Sequence, residues 1–435
     1  MTKVVFILHP THVEVTANAA NRNHILAVLF STILCDPACP IFLLLFSLVC
    51  GFLCSETFLF QVPAAMVTLV VLQYYSQRKP ERKKLVHTIL DYVTSTISVL
   101  PRLLLMVLTI CFYLAGRYYY DTLDIPEGLI RPAENPFYHF KGEHRVRNYM
   151  YTLAIHVAKS WGLDPIGFSH EYGFDCIPAL ATWEDPRLAL PMGIALALLL
   201  SLLLALRYPT TLLGPVLIHW AWLMTLFPIS GVVKVGTFVS DRIVVASTVS
   251  VSLWIGLALH YWLTRGFRKL PARPLQFLFV CWLFAASYTK VHKRSLQWMD
   301  SISLLESSVE TCPNFAKAHM ETSKIYSGLY PKLRDLKKAR HHLERARDID
   351  PDLCDIHQQF AHVAVQEGKF LEYEEELSQA LMCKFTVSSS FEMWQRYWPV
   401  AVNSASSPEE RLKVEQRRDK YARMIQEEMT KIAED

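Results

Sequence analysis

Apolar positions crowd the first two thirds of the chain and thin out near residue 290. Before that point, long apolar runs alternate with short polar breaks. After it, apolar residues recur every three or four positions among charged ones, the period of amphipathic helices. The runs predict eight membrane spans, at 20–34, 40–54, 57–75, 98–116, 190–207, 209–227, 243–263 and 274–289. A straight crossing needs about 20 apolar residues, so the shorter runs have soft boundaries. The fold class that follows is all-α, with a polytopic helical membrane core at 1–290 and a polar helical half beyond it.

Lys and Arg in short loops mark the cytoplasmic side. Two clusters qualify: Arg78, Lys79, Arg82, Lys83 and Lys84, then Arg265, Arg268, Lys269 and Arg273. Four predicted spans separate them, so both fall on one side. Residues 1–19, the Ser55-Glu56 turn, the loops 117–189 and 228–242 and the polar C-terminal half then share the opposite, non-cytoplasmic side. The 117–189 loop is too long for its own charges to set orientation. No cleavable signal peptide is visible, and Met1 to Leu8 (MTKVVFIL) reads as the last turns of a hydrophobic helix with a further span expected before it.

The polar half carries a repeat. Pro313 and Pro351 end two similar helices. Ala339, Leu343 and Ala346 have the small–large–small spacing of a tetratricopeptide second helix. His357, Phe360, Ala361 and Ala364 line the next first helix, Gly368 turns the chain, and Phe370, Leu377 and Ala380 line its partner. Residues 316–329 fill the first helix of the earlier repeat, with Ser323 and Tyr326 at packing positions. An insertion around Tyr330 to Arg334 lengthens its turn. Trp298, Ser301, Leu305 and Ser308 read as a lone second helix opening the stack. The expected division is repeats at 295–385 and capping helices at 386–435, where Phe391, Trp394 and Trp398 precede a charged helix. Such stacks bind other proteins and carry no chemistry of their own.

Composition agrees with this division. With 52% hydrophobic residues and a mean hydropathy of +0.20, the 435-residue chain is too apolar for one soluble domain. Its net charge of +4 is accounted for by topology and gives no reason to expect nucleic acid. Among ten cysteines, Cys35, Cys39, Cys50, Cys54, Cys111 and Cys281 lie in or beside predicted spans, where a small apolar role is ordinary. Cys176, Cys312, Cys354 and Cys383 lie where disulfides are permitted, and no CxxC spacing suggests zinc.

Candidate chemistry gathers on the non-cytoplasmic side. His9, His12, Glu14 and Arg22 sit at the mouth of the first span, where ionisable groups usually serve substrates or ions. His9 and His12 can share a helix face, whereas Glu14 lies off that face. With no fourth ligand the set does not make a metal site. Arg22 and Arg242 are cations placed to meet a lipid phosphate, and Asp241 orients Arg242 with Lys234 in the same loop. Glu56 is either a substrate contact or a cap for the helix starting at Thr57. Arg147 and Tyr151 share a helix face with His156 further along. A helix lying on the bilayer, with Arg147 and Lys159 snorkelling to headgroups, explains them as well as a site does.

The segment HPTHVEVTANAANRNHIL resembles the His-Pro-x-His-x-Glu…Arg motif of the transmembrane and tetratricopeptide repeat-containing proteins. The resemblance continues through Leu53-Cys54-Ser55-Glu56, Glu134-Asn135-Pro136, Arg147 with Tyr151, His156, Ser169-His170-Glu171-Tyr172, Ile177-Pro178, Asp185-Pro186-Arg187 and Ser240-Asp241-Arg242. It covers most of residues 5–385. It implies a GT-C-like glycosyltransferase core that moves mannose from dolichyl phosphate mannose to Ser or Thr hydroxyls of secretory-pathway proteins in the endoplasmic reticulum lumen. The repeats would then engage acceptor proteins, and no cofactor or metal is firmly implied. This chain departs from the family pattern at His24, where an acidic residue is expected, at Ser55 in place of Lys, and at Val245 in place of Tyr. The family's paired acidic residues, with the expected catalytic base, precede the segment matched at His9, so none of the residues above is assigned as the base. The rival reading is an inactive endoplasmic reticulum scaffold that recruits proteins through its repeats. A transporter fits less well, because the ionisable groups collect at one membrane face.

Overall fold

The computed structural model describes residues 2–77, 84–123, 130–236, 238–265 and 273–434, leaving aside the side chains at 265, 273–276 and 428–434. Among the described residues every regular element is helical, and the one pairing of extended backbone is an isolated antiparallel bridge between Tyr172 and Val239. The chain divides into two compact units. One comprises residues 1–172 and 177–304, the other 173–176 and 305–435.

In chain order the first unit holds α1 (Thr2–Ile7), α2 (His12–Ala17), α3 (Arg22–Leu34), α4 (Ile41–Cys54), α5 (Phe58–Ser76), α6 (Leu85–Tyr119) and α7 (Gly142–Ser160). It continues with α8 (Ala189–Arg207), α9 (Gly214–Leu223), α10 (Asp241–Val244), α11 (Thr248–Arg265) and α12 (Arg273–Gln297). Leu44, Leu48, Phe58, Leu69 and Trp222 lie at the centre of its largest apolar cluster, drawn from α4, α5 and α9. Gly51 is needed there, because a Cβ would collide with the Phe58 ring. Trp222 buries its indole and still donates to Thr68 Oγ1 at 3.0 Å, which satisfies a polar group that apolar surroundings would penalise.

Among the described residues, four helical stretches are long and apolar enough to cross a membrane: Phe58–Ser76, Leu85–Tyr119, Pro186–Arg207 and Pro209–Ser230. The expected spans 20–34 and 40–54 correspond to α3 and α4, which at 13 and 14 residues are shorter than a straight crossing requires. The expected span 98–116 is the second part of a 35-residue helix. Apolarity located that run, but His87, Asp91, Thr94 and Ser98 concealed the helix's true start, since polar residues on one face do not end a helix. The expected spans 243–263 and 274–289 correspond to the helices α11 and α12, of 18 and 25 residues. Arg78, Lys79, Arg82, Lys83, Arg268 and Lys269, on which the sidedness argument rests, lie outside the described residues.

The second unit is a run of paired helices. After α13 (Ser301–Thr311) come α14 (Ala316–Lys324), α15 (Leu336–Ile349), α16 (Ile356–Gln366), α17 (Phe370–Met382), α18 (Val387–Asn403) and α19 (Pro408–Glu434). α14 packs on α15 and α16 on α17, and α15 joins the two pairs by packing on α16. Ala339, Leu343, Ala346, Phe360, Ala361, Ala364, Leu377 and Ala380 are all buried between helices. Small residues among them let the axes approach. Gly368, at φ +75°, makes the tight turn between α16 and α17. Phe370 departs from its expected packing role: it is 54% exposed, and Tyr373 takes the buried position one turn on. His357 likewise turns outward to pair with Glu376. The terminal helix is more than a solvated cap, because Val414 packs with Trp398 and Val402, and Arg417 forms a bidentate pair with the fully buried Glu374. Two disulfides lie in this unit, Cys176–Cys312 and Cys354–Cys383.

Candidate functional site

The first unit contains a buried polar centre assembled from segments far apart in sequence. α2 begins just after the His9-Pro10 turn and directs Glu14 toward α10, which follows the extended stretch at Val239-Ser240. Glu14 is 1% exposed and accepts four kinds of donor. Arg242 Nη1 lies 3.0 Å from Oε1 and the Arg242 backbone N–H 3.1 Å from Oε2. Asn21 donates to Oε1 at 3.0 Å, and the Ser240 hydroxyl reaches the carboxylate at 3.4 Å. Burial pushes the Glu14 carboxyl above the usual carboxylate range. Asp241 adds to that rise and Arg242 opposes it.

Next to this pair, Asp241 faces the end of α7. Its Oδ1 accepts from Lys159 Nζ at 3.1 Å, and its Oδ2 is buried with no hydrogen-bond partner among the described residues. Lys159 is fully buried and donates also to Tyr172 Oη at 2.8 Å and to the Gly167 carbonyl at 3.3 Å. Burial alone would lower this lysine, but Asp241, Tyr172 and Asp164 together hold it above its ordinary value. The Tyr172 hydroxyl donates to Gly167 O at 2.7 Å and accepts from the Ser169 N–H at 2.9 Å. Arg294 of α12, 2% exposed, donates to the Ser169 carbonyl at 2.9 Å and so fixes the 167–172 loop from its other side.

Two histidines complete the centre. His9 Nε2 lies 3.0 Å from the Ser160 carbonyl, which can only accept, so that nitrogen carries the proton and Nδ1 accepts from Thr11 at 2.8 Å. His12 Nε2 lies 2.9 Å from Thr248 Oγ1, and its ring also faces the Phe6 carbonyl. Their rings are 5.3 Å apart. Burial lowers His9 to about 4 and takes His12 well below its usual value, with His9 adding to the latter. Both are neutral at physiological pH.

Of the residues that the sequence singled out, His9, His12, Glu14, Asp241 and Arg242 are brought together. Arg22 lies at the exposed rim, donating to the Thr16 carbonyl at 3.3 Å. Glu56 is not part of the centre: it is exposed and pairs with Arg117 at the end of α6. Arg147 and Tyr151 are not part of it either. Arg147 is 6% exposed and donates to the Leu180 and Ala181 carbonyls at 3.1 and 2.6 Å, pinning that loop to α7, while the Arg187 guanidinium lies over the Tyr151 ring. The snorkelling reading of Arg147 and Lys159 is therefore overturned, because both heads are buried in protein. The same amphipathic pattern serves whether the cover is lipid or polypeptide, which is why periodicity could not separate the two. The sequence reading missed Lys159 as a site residue. Thr152, His156 and Lys159 stand at i, i+4 and i+7, a polar stripe on one face of α7, and that stripe was the available signal.

An apolar cleft of about 300 Å³ lies beside the centre, between α7, α8, α9 and α11, lined by Trp161, Leu190, Ile194 and Trp254 among others. His219 and Ser201 are polar residues in its wall. Ser250 spends its proton on the Ser247 carbonyl, so His219 Nδ1–H donates to Ser250 at 3.1 Å, and Nε2 is left as an acceptor. Cys354, Asp355 and Cys383 cluster in the second unit, but the disulfide uses both thiols and leaves no thiolate for a metal.

Comparison with protein-family models, with curated proteins and with solved structures finds no significant match.

Proposed function

We propose that this chain is a GT-C-like mannosyltransferase core joined to a short tetratricopeptide stack. It moves mannose from dolichyl phosphate mannose to Ser or Thr hydroxyls of secretory-pathway proteins at the luminal face of the endoplasmic reticulum membrane. The observation that carries this reading is the convergence of the resembling motifs. Segments 9–14, 169–172 and 240–242, far apart in sequence, meet through Lys159 in one polar centre beside an apolar cleft. In such a transfer the acceptor oxygen bonds to the sugar C1 as the C1–phosphate bond breaks, and the acceptor proton passes to a base. A glycosyl phosphate needs little further activation beyond cations on the departing phosphate. Arg242, held by Glu14 yet 26% exposed, and Arg22 at the rim take that role. The cleft suits part of a polyprenyl chain.

Cysteine pairing supports the lumen. All four cysteines in segments predicted to be non-cytoplasmic are in disulfides, and the six in or beside apolar helices are free. That division is what an oxidising compartment produces. The paired helices with small residues at their contacts support the repeat stack, and its partners are acceptor proteins.

The scaffold reading is favoured by one observation. Glu14 and Asp241 are each 1% exposed and already engaged with Arg242 and Lys159, so neither carboxylate of the centre is open to take a proton from an acceptor. The test is Arg242→Ala in the full chain in membranes. The enzyme reading expects transfer to fall at least tenfold with protein level unchanged. Unchanged transfer removes phosphate recognition from this residue.

A further inference from the structure

α6 leaves most of its apolar stretch exposed within its own unit. At 35 residues it is about 52 Å long, against a hydrocarbon core of about 30 Å. Thr88, Tyr92, Ser95, Val99 and Met106 form the face that it buries within its own unit. A second apolar line runs along the other side. Val86, Leu90, Val93, Ile97, Leu100, Leu104, Val107, Cys111, Leu114 and Tyr118 alternate steps of four and three without a break. This is the period of a supercoiled a/d seam. All ten are exposed, from Leu114 at 36% to Tyr118 at 77%. In heptad terms the buried face occupies the c and f positions, opposite the seam, with Leu103 at a g position also buried.

We propose that this seam is an interface between copies of this chain, formed by α6 against α6. Lipid tails require apolar atoms anywhere on the outward side, with no preferred period. Here the period continues into the first turns, where His87, Asp91, Thr94 and Ser98 fill the intervening positions. The helix is longer than the bilayer is thick, so part of the seam extends beyond the depth at which lipid tails can cover it. A second copy suits the seam in three respects. Copies inserted by one topology present α6 in parallel, the arrangement in which each a/d layer meets its own equivalent. No charged residue occupies the seam, so self-pairing buries no like charges. Ten side chains of this size, about half exposed, offer on the order of 800 Å² per copy, what a stable specific interface buries on each side. Within the bilayer the contact is held by close packing, since apolar burial gains nothing over lipid there.

Cys111 makes the proposal testable. It is a free, exposed thiol at an a position, where symmetry brings it opposite the same atom of the second copy. Full-length protein in native membranes is treated with a mild thiol oxidant and run without reductant. The proposal expects a band at twice the 50.0 kDa of the chain. Cys111→Ser should abolish the band and Cys281→Ser should leave it. Phe112 is 83% exposed but lies at a b position, off the seam. In the Cys111→Ser background, Phe112→Cys should crosslink at least fivefold less than Leu104→Cys, which restores a thiol at the preceding a position. Absence of a Cys111-dependent dimer overturns the proposal. Crosslinking at position 112 equal to that at 104 also overturns it, because that result marks random collision of lipid-facing thiols.

Discussion

Lys159 and Asp241 show how much rests on single side chains here. Each is an ion in a site from which water is excluded, and each is tolerable because of the other. Lys159→Ala leaves Asp241 buried and uncompensated, which costs about 3–5 kcal/mol. Thermal unfolding of the purified protein should show a clear fall in Tm, and the double variant Lys159→Met with Asp241→Asn should recover most of it. A single variant as stable as the wild type would contradict a stabilising Lys159–Asp241 pair. The histidines give a pH dependence with a definite sign. His9, His12 and His156 are buried and held below their ordinary 6.5, His9 and His156 at about 4. The unfolded chain therefore takes up protons below pH 6.5 that the native state refuses, and stability declines as pH falls from about 6.5 toward 4. Each such histidine contributes a slope of about 1.4 kcal/mol per pH unit in that window. Glu14, raised above its usual value, acts in the opposite direction: the stabilisation of its protonated form is present at low pH and lost as pH rises. Burial also lowers His319, His342 and His362 and raises Asp164 and Asp350; the histidines outnumber the raised carboxylates, and the predicted net result is a lower Tm at pH 5 than at pH 7.5. His9→Asn should flatten the slope by about one proton. A Tm that rises on acidification would contradict the neutral assignments.

At the scale of elements, the sequence was most legible where one pattern has one meaning. Small residues at 339, 346, 361, 364 and 380 predicted close helix contacts, and all five are buried. The apolar runs at 57–75 and 190–207 became helices with nearly those limits. Legibility failed where one pattern has two meanings. α7 is amphipathic, and its periodicity alone does not say whether protein or lipid covers it. α6 mixes polar and apolar positions in its first turns, so hydropathy alone starts it too late. Disulfide partners were also out of reach, because pairing depends on which loops the fold brings together. The Cys354–Cys383 bridge closes a loop spanning 29 residues around the α16–α17 hairpin. Cys383→Ser should lower the stability of that hairpin by about 3–4 kcal/mol, read as faster proteolysis between α16 and α17. Equal protease resistance with and without the bridge would show that helix packing suffices.

The molecule as a whole combines apolar helices able to cross a membrane, a sealed polar centre and a run of paired helices held by disulfides. The centre was legible in part. Glu14, Arg242 and the two histidines were singled out because ionisable groups beside a span are costly and seldom idle. Lys159 was missed because a lysine near a helix end has an ordinary surface role, and only the fold shows that it has none here. Glu56 and Arg22 show the converse, since proximity in topology did not bring them into the buried cluster.

The account stands most directly on mannosyl transfer. Membranes containing the full chain, supplied with labelled dolichyl phosphate mannose and a Ser/Thr-rich acceptor, should attach label to the acceptor hydroxyls. Membranes lacking the chain should not, and a water-soluble nucleotide mannose should not replace the lipid donor. Acceptor that stays unlabelled although the donor is intact and the chain is folded would contradict the enzyme and leave the scaffold.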